Sequence, residues 1–209
     1  MIEIIPMSAE LIGPVNPETD LAKIETMART CYASPMSESP EARDAFIRKL
    51  VQAGHESVIE HVSVSFMLTV PRSISHQIVR HRVGVAYSQQ SQRYVDLSRG
   101  PLQVIAPVPA LEGEAFVGWQ SLAWKIVWKI AEVYNAMIAS GVKPQVARSI
   151  LPNCTATKLG MTANLRAWRH ILKQRWTNPT ADPAIREVMG IVGEKLKELY
   201  PPVFGDIGA

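Results

Sequence analysis

Apolar side chains recur at every second position from Val62 through Val64, Phe66, Leu68 and Val70, and the alternation stops at Pro71. A period of two over that length predicts a strand with one buried face. Pro71 then suits the first position of a helix running toward Arg80, where its missing N–H is one that the helix leaves unpaired anyway. Residues 1–12 predict a further strand, and Tyr94–Leu97 a short one. Helical spacing appears over Asp20–Tyr32 and over Pro40–Gly54, the second ended by its glycine. Gly100–Pro109 reads as a loop. Glu112–Ser140, ended by Gly141, predicts the longest helix, about 40 Å at the usual rise per residue. Pro144–Leu151, Thr162–Arg175 and Pro183–Tyr200 complete the helices. Many helices with a small sheet make an α+β protein.

Two helices carry more than length. In the longest, Trp119, Leu122, Ile126, Ile130, Val133 and Met137 share one face, while Val117, Trp124, Trp128 and Ala131 lie opposite. A helix apolar on both sides is either wholly buried or covered by another subunit, and exposed tryptophan pairs favour the interface, here at Trp124 and Trp128. In Thr162–Arg175, Leu165, Trp168 and Leu172 form an apolar stripe, with Arg166, His170 and Lys173 on the polar side. Arg175 falls off that polar stripe.

Composition narrows the class without naming a function. At 209 residues with 47% hydrophobic and 20% charged side chains, the chain is long and apolar enough to close a core, and one domain over residues 1–209 is expected. A net charge of +3 does not call for a nucleic-acid partner. The longest uncharged apolar run, near Val62–Val70, is too short to span a bilayer. Met1-Ile2-Glu3-Ile4-Ile5 lacks the basic start and long apolar stretch of a secretory signal. Cys31 and Cys154 form no CxxC pattern, which fits a reducing, cytoplasmic setting.

The candidate chemistry is concentrated between Arg80 and Tyr94. Arg80-His81-Arg82, then Gln89, Gln90, Ser91, Gln92 and Arg93 place three guanidiniums, an imidazole, a hydroxyl and three amides close together. Arg forks grip phosphate at two points and amides read the edges of a heterocycle, so the pattern suits a phosphorylated planar ligand. Other chemistries fit less well. His55-Glu56-Ser57-Val58-Ile59-Glu60-His61 sets its histidines six apart, not the four of a zinc hydrolase motif, and His76 and His81 match no common metal spacing, so no metal is expected. Neither GxGxxG nor a P-loop occurs. Ser91 has no recognisable base, and Cys154 after Pro152-Asn153 reads as a small turn residue rather than a nucleophile.

Eight residues separate Arg82 from Ser91, and that Arg-His-Arg…Ser arrangement resembles the signature of the flavin-dependent thymidylate synthases. Supporting blocks follow in order: Gly54-His55-Glu56-Ser57 with Glu60-His61, Gln77 ahead of Arg80, Ala147-Arg148-Ser149-Ile150-Leu151-Pro152, and Asn164-Leu165-Arg166 leading to Arg175. The resemblance spans Ala28 to Phe204 and implies a helix-rich α+β fold with a small, mostly antiparallel sheet, assembled as a homotetramer. It implies methylation of dUMP to dTMP, with methylenetetrahydrofolate as carbon donor and FAD carrying electrons from NADPH. By family position Ser57, Arg80, His81, Arg82, Gln89, Asn164, Arg166 and His170 contact FAD. Gln77, Arg80, Gln89, Gln90, Ser91, Gln92, Arg93, Arg148 and Arg175 contact dUMP, with Arg175 activating the uracil. The resemblance supplies no cysteine nucleophile, no metal, no nucleic acid and no membrane.

The chain also departs from that pattern. Cys31 stands where many relatives carry Ser, Gln89 where some carry Glu, and His170 where others have Asn. Trp176–Pro183 lacks the histidine found nearby in relatives. Two other classes share part of the pattern: an Arg-rich nucleic-acid module built on Arg80, Arg82, Arg93 and Tyr94, and a non-catalytic flavin- or nucleotide-binding protein of the same fold. Bound flavin separates the first from the enzyme, and tritium release from C5-labelled dUMP separates the second.

Overall fold

The computed structural model describes residues 1–106 and 114–208, the side chains of residues 114–120 excepted. Among the described residues there are six strands: β1 (Ile2–Ile4), β2 (Ser8–Ile12), β3 (Ser63–Pro71), β4 (Val85–Gln89), β5 (Leu102–Val104) and β6 (Ala156–Asn164). The helices are α1 (Pro17–Thr30), α2 (Pro40–Gln52), α3 (Arg72–Ile78), α4 (Glu114–Ala139), α5 (Pro144–Ala147), α6 (Leu165–Arg175), α7 (Pro183–Leu199) and α8 (Pro201–Phe204). Short 3₁₀ turns cover Glu56–His61, Leu97–Arg99 and Arg148–Ile150. The α+β class is as expected.

Helix starts follow local chemistry. Asn16, Ser39, Asn164 and Asp182 each turn a side-chain oxygen onto a first-turn N–H, and Pro17, Pro40 and Pro183 follow three of them. One strand pair joins β1 and β5 in parallel, and a four-stranded sheet has the order β2-β3-β6-β4. Along β3 and β6, Leu165 bonds Val62 near one end and Arg72 bonds Thr155 near the other, so these strands run antiparallel. Asn164 with Gly84 and Gln90 with Lys158 show the same for β6 and β4. Val64, Phe66, Leu68 and Val70 are buried as the alternation predicts.

The chain forms two compact units, each assembled from separated stretches. One holds residues 1–8, 68–78 and 88–159; its core joins Leu102 and Val104 to Val127 and Ala131 of α4, with Ile2, Trp124 and Cys154 packed against them. The other holds residues 9–67, 79–87 and 160–209, where α1, α2, α6, α7 and α8 pack together. Trp168 lies at its centre, its ring edge-on to Phe66 with centroids 5.4 Å apart and its indole N–H donated to the Val64 carbonyl at 3.0 Å.

Several sequence expectations are corrected. The first strand breaks at Ile5–Met7 into β1 and β2, because Pro6 carries no N–H for a ladder. Pro71 closes β3 and the helix begins at Arg72. Tyr94–Leu97 is no strand: the N–H groups of Tyr94 and Val95 both turn back to the Ser91 carbonyl. The loop from Gly100 contains β5, while its end, residues 107–109, lies outside the described residues. Thr162–Asn164 belongs to β6, not to the helix that follows, and β4 and β6 had no counterpart in the sequence pattern. On α4 the inward face is Val127, Ala131 and Tyr134, with Trp124 partly buried beside it, whereas Trp128 is exposed. Leu122, Ile126 and Val133 are exposed on the other side, and the side chains of Val117 and Trp119 lie outside the described residues. Cys31 and Cys154 are free thiols. No described helix is long and apolar enough to cross a membrane.

Candidate active site

In the helical unit a cavity of about 660 Å³ opens between residues 80–84 and the start of α6. Arg80, His81, Arg82, Asn164, Arg166 and His170 all line it, six residues from two separated blocks of sequence. The α3–β4 connection supplies the first three. Tyr87 fixes that connection by donating its hydroxyl to the His81 carbonyl at 2.7 Å, and the Asn164 N–H bonds the Gly84 carbonyl at 3.1 Å. Burial pushes the Tyr87 phenol up to about 12, so it remains a donor at neutral pH. Asn164 also caps α6 through Oδ1 to the Ala167 N–H at 2.8 Å, which turns the positive end of that helix toward the cavity.

Gly84 makes this approach possible. Its φ is +69°, and a Cβ there would stand 2.6 Å from Asn164 Nδ2. Only glycine leaves room for the amide on this wall.

Carboxylates from the Glu56–His61 turn complete the site. Arg166 Nη1 meets Glu60 at 2.5 Å, and its Nε lies 3.9 Å from Glu56. Among the described residues Arg80 and Arg82 form no ion pair, so two guanidiniums remain uncompensated. Arg175, at the end of α6, donates from Nε to His81 Nε2 at 3.0 Å, and the His81 and His170 rings meet edge-on at 6.0 Å. Burial, the Arg175 charge and His170 hold the His81 imidazole down to about 4. It is therefore neutral near pH 7 with its proton on Nδ1, since Nε2 accepts from Arg175. Arg175 keeps its terminal nitrogens for another acceptor.

The remaining expected residues are placed elsewhere. Ser57 is exposed in the Glu56–His61 turn and does not line the cavity. Gln89 donates its amide to Ser75 at 2.8 Å and to Thr157 at 3.4 Å, within the other unit. That unit also holds Gln77 on α3, Ser91, Gln92, Arg93 stacked 5.3 Å over Tyr94, and Arg148 in its 3₁₀ turn. Gln90 lines a second cavity of about 480 Å³ there, with Thr157 and Lys158. Thus Arg80 and Arg175 lie in one unit and the other seven expected dUMP contacts in the other.

Sequence reasoning missed three participants. Arg72 donates to the Gln90 carbonyl at 3.5 Å, and burial together with the Arg148 charge lowers its pKa. Arg169 is buried and bonds Glu56 at 3.0 Å, which ties a cavity carboxylate to the interior. A signal existed: Leu165, Trp168, Arg169 and Leu172 share one helical stripe, so an arginine sits among apolar positions. Gly84 carried no signal apart from its neighbours.

The sequence pattern described as thymidylate synthase complementing protein matches residues 15–202. The chain belongs to that family. A flavin-dependent thymidylate synthase from Mycobacteroides abscessus is 32% identical over 99% of this chain and 92% of its own length. One from Mycolicibacterium vanbaalenii is 34% identical with the same coverage. Members so named are methyltransferases, and this chain is an enzyme of their family. Among solved structures, the UMP/dUMP methylase PolB from Streptomyces cacaoi, bound with 5-Br dUMP, superposes with a TM-score of 0.83 over 98% of this chain and 96% of that one. At 22% identity that likeness establishes the shared fold.

Proposed function

We propose that this enzyme methylates dUMP to dTMP, taking the carbon from methylenetetrahydrofolate and electrons from NADPH through FAD. The observation that carries the proposal is the gathering of six residues with flavin positions in the family into one cavity beside Arg175. The residues present fit the cofactor: free guanidiniums and a helix N-terminus suit a pyrophosphate, and the Gly84 gap leaves the Asn164 amide at the wall. FAD, when bound, supplies a two-electron carrier between NADPH and the transferred carbon.

The chain's own side chains do the rest. Arg80 and Arg82 compensate phosphate charge, and Arg166 exchanges part of its Glu60 contact for the ligand. His81, neutral and hydrogen-bonded, offers a ring rather than a charge and aims Arg175. Arg175 places its free nitrogens on the uracil, where a guanidinium stabilises negative charge and makes C5 more nucleophilic. Gln77, Gln89–Arg93 and Arg148 bind the nucleotide, with Arg148 on its phosphate. The active form is a homotetramer, and the exposed apolar side of α4, Leu122, Ile126 and Val133, supports that helix as a subunit contact.

The test is tritium release from C5-labelled dUMP beside flavin occupancy and NADPH oxidation. Arg175→Ala is expected to remain yellow and tetrameric while losing on the order of a hundredfold in rate; Arg175→Lys, which keeps charge but not the planar fork, should fall between. Near wild-type dTMP formation by Arg175→Ala refutes that role, and a chain that binds flavin but releases no tritium refutes the activity.

A further inference from the structure

We infer that Trp176, seated in a cradle of three glycines, is a positioning residue that holds Arg175 in line for its work. The inference rests on the proposed role of Arg175 and adds how this chain fixes that side chain.

Arg175 is the last residue of α6 and Trp176 caps it, its N–H bonded to the Leu172 carbonyl at 2.8 Å. Successive residues at a helix end project about 100° apart. One side chain therefore turns to His81 and the other to α7. On α7, Gly190 and Gly193 are three residues apart and present one face. A Cβ at Gly193 would overlap the Cε3 and Cζ3 carbons of Trp176, and one at Gly190 would lie 3.1 Å from its Nε1. Gly208, with φ +78°, closes the third side: a Cβ there would stand 2.9 Å from Cη2.

Further bonds hold the same residue. Arg186 Nε donates to the Trp176 carbonyl at 3.3 Å, and the Lys197 ammonium lies 5.7 Å from the ring centre. The α7 frame is itself firm, since Ile185, Val188, Met189, Val192 and Leu196 are buried. Glycine inside a helix weakens it relative to alanine. Two such glycines against one indole mean that α7 yields helix stability to admit the ring. Trp176 is partly buried, its ring packed against these three glycines. Its backbone is continuous with Arg175, whose fork must meet its target at fixed angle and distance. Displacement of a reacting contact by about 1 Å costs up to about a hundredfold in rate.

The experiment compares Trp176→Ala, Trp176→Phe and Gly193→Ala holoenzymes with Ile47→Ala, a buried α2 residue remote in sequence whose loss destabilises without touching the cradle. Trp176→Ala and Gly193→Ala should lower kcat by about ten- to a hundredfold with flavin retained, Trp176→Phe should keep most of the rate, and Ile47→Ala should keep kcat. In an Arg175→Ala background, Trp176→Ala should add no further loss, because its effect passes through the missing guanidinium. The His81 imidazole, faced by Arg175 and His170, should titrate higher by NMR in Trp176→Ala as the Arg175 bond loosens. Equal losses from Trp176→Ala in both backgrounds, or a kcat loss in Ile47→Ala matching that of Gly193→Ala, overturn the inference. If Arg175→Ala alone retains full rate, the proposed role of Arg175 fails instead, and an unshifted His81 titration then rejects the cradle independently.

Discussion

Arg169 lies outside every proposed ligand contact, so replacing it perturbs the frame of the site alone. Its side chain is 2% exposed, and it donates from Nε to Glu56 at 3.0 Å and through a two-point fork to Asp206 at 2.6 and 2.8 Å. It also donates to the Val203 carbonyl. Methionine keeps an unbranched apolar stem and removes every donor. Breaking a buried ion pair by deleting one partner typically costs about 3–5 kcal/mol. Here Asp206 is 45% exposed and Glu56 22%, so both carboxylates recover part of their hydration, which points to the lower end. The Val203 carbonyl recovers less and keeps the loss from vanishing. Arg169→Met is thus expected to cost about 3 kcal/mol, or about 6–12 °C in Tm for a chain of this length. Asp206→Asn, which spares the Glu56 bond, should cost less. Thermal unfolding by circular dichroism, with and without added FAD, reads both. An Arg169→Met variant melting within about 1 °C of the parent refutes the claim that this network joins the C-terminal segment to the cavity wall.

Gly84→Ala combines backbone strain with the Asn164 clash, whereas Gly13→Ala, at φ +82° with nothing within 4 Å, carries strain alone. Both should lose about 1–3 kcal/mol, but flavin occupancy should fall in Gly84→Ala only; equal occupancy removes Asn164 from the site. His81 is held to about 4 in the folded chain against an ordinary 6.5, so the unfolded chain takes up the extra proton between those values. Stability should therefore drop as pH falls from 6.5 toward 4, and His81→Gln should flatten that slope in urea titrations; an unchanged slope contradicts the buried neutral imidazole. Replacing exposed Cys31 by Ser and Cys154 by Ala should leave dTMP formation intact, since burial pushes the Cys154 thiol up and away from thiolate. Loss of tritium release with flavin retained would favour a cysteine adduct.

Local chemistry determined much of this protein without its fold. The alternation from Val62 to Val70, the prolines opening α1, α2 and α7, and the stripe on α6 act over a few residues, so they are legible in order along the chain. Four ordered blocks were likewise enough to indicate the family, because spacing survives in sequence. Long-range pairing was decided elsewhere. Strand β4 is only five residues long and β6 sets small and polar residues among its apolar ones, so their ladder partners decide that they are strands. Tertiary structure alone brought His81 against Arg175, ninety-four residues apart, and set the imidazole's charge by burial. It turned Gln89 toward Ser75 and Thr157, and it buried Arg169 among apolar neighbours. It also gave Trp176 its three glycines, two on α7 and one near the C-terminus. A contact between distant residues depends on where every intervening element packs, and no local pattern encodes that sum.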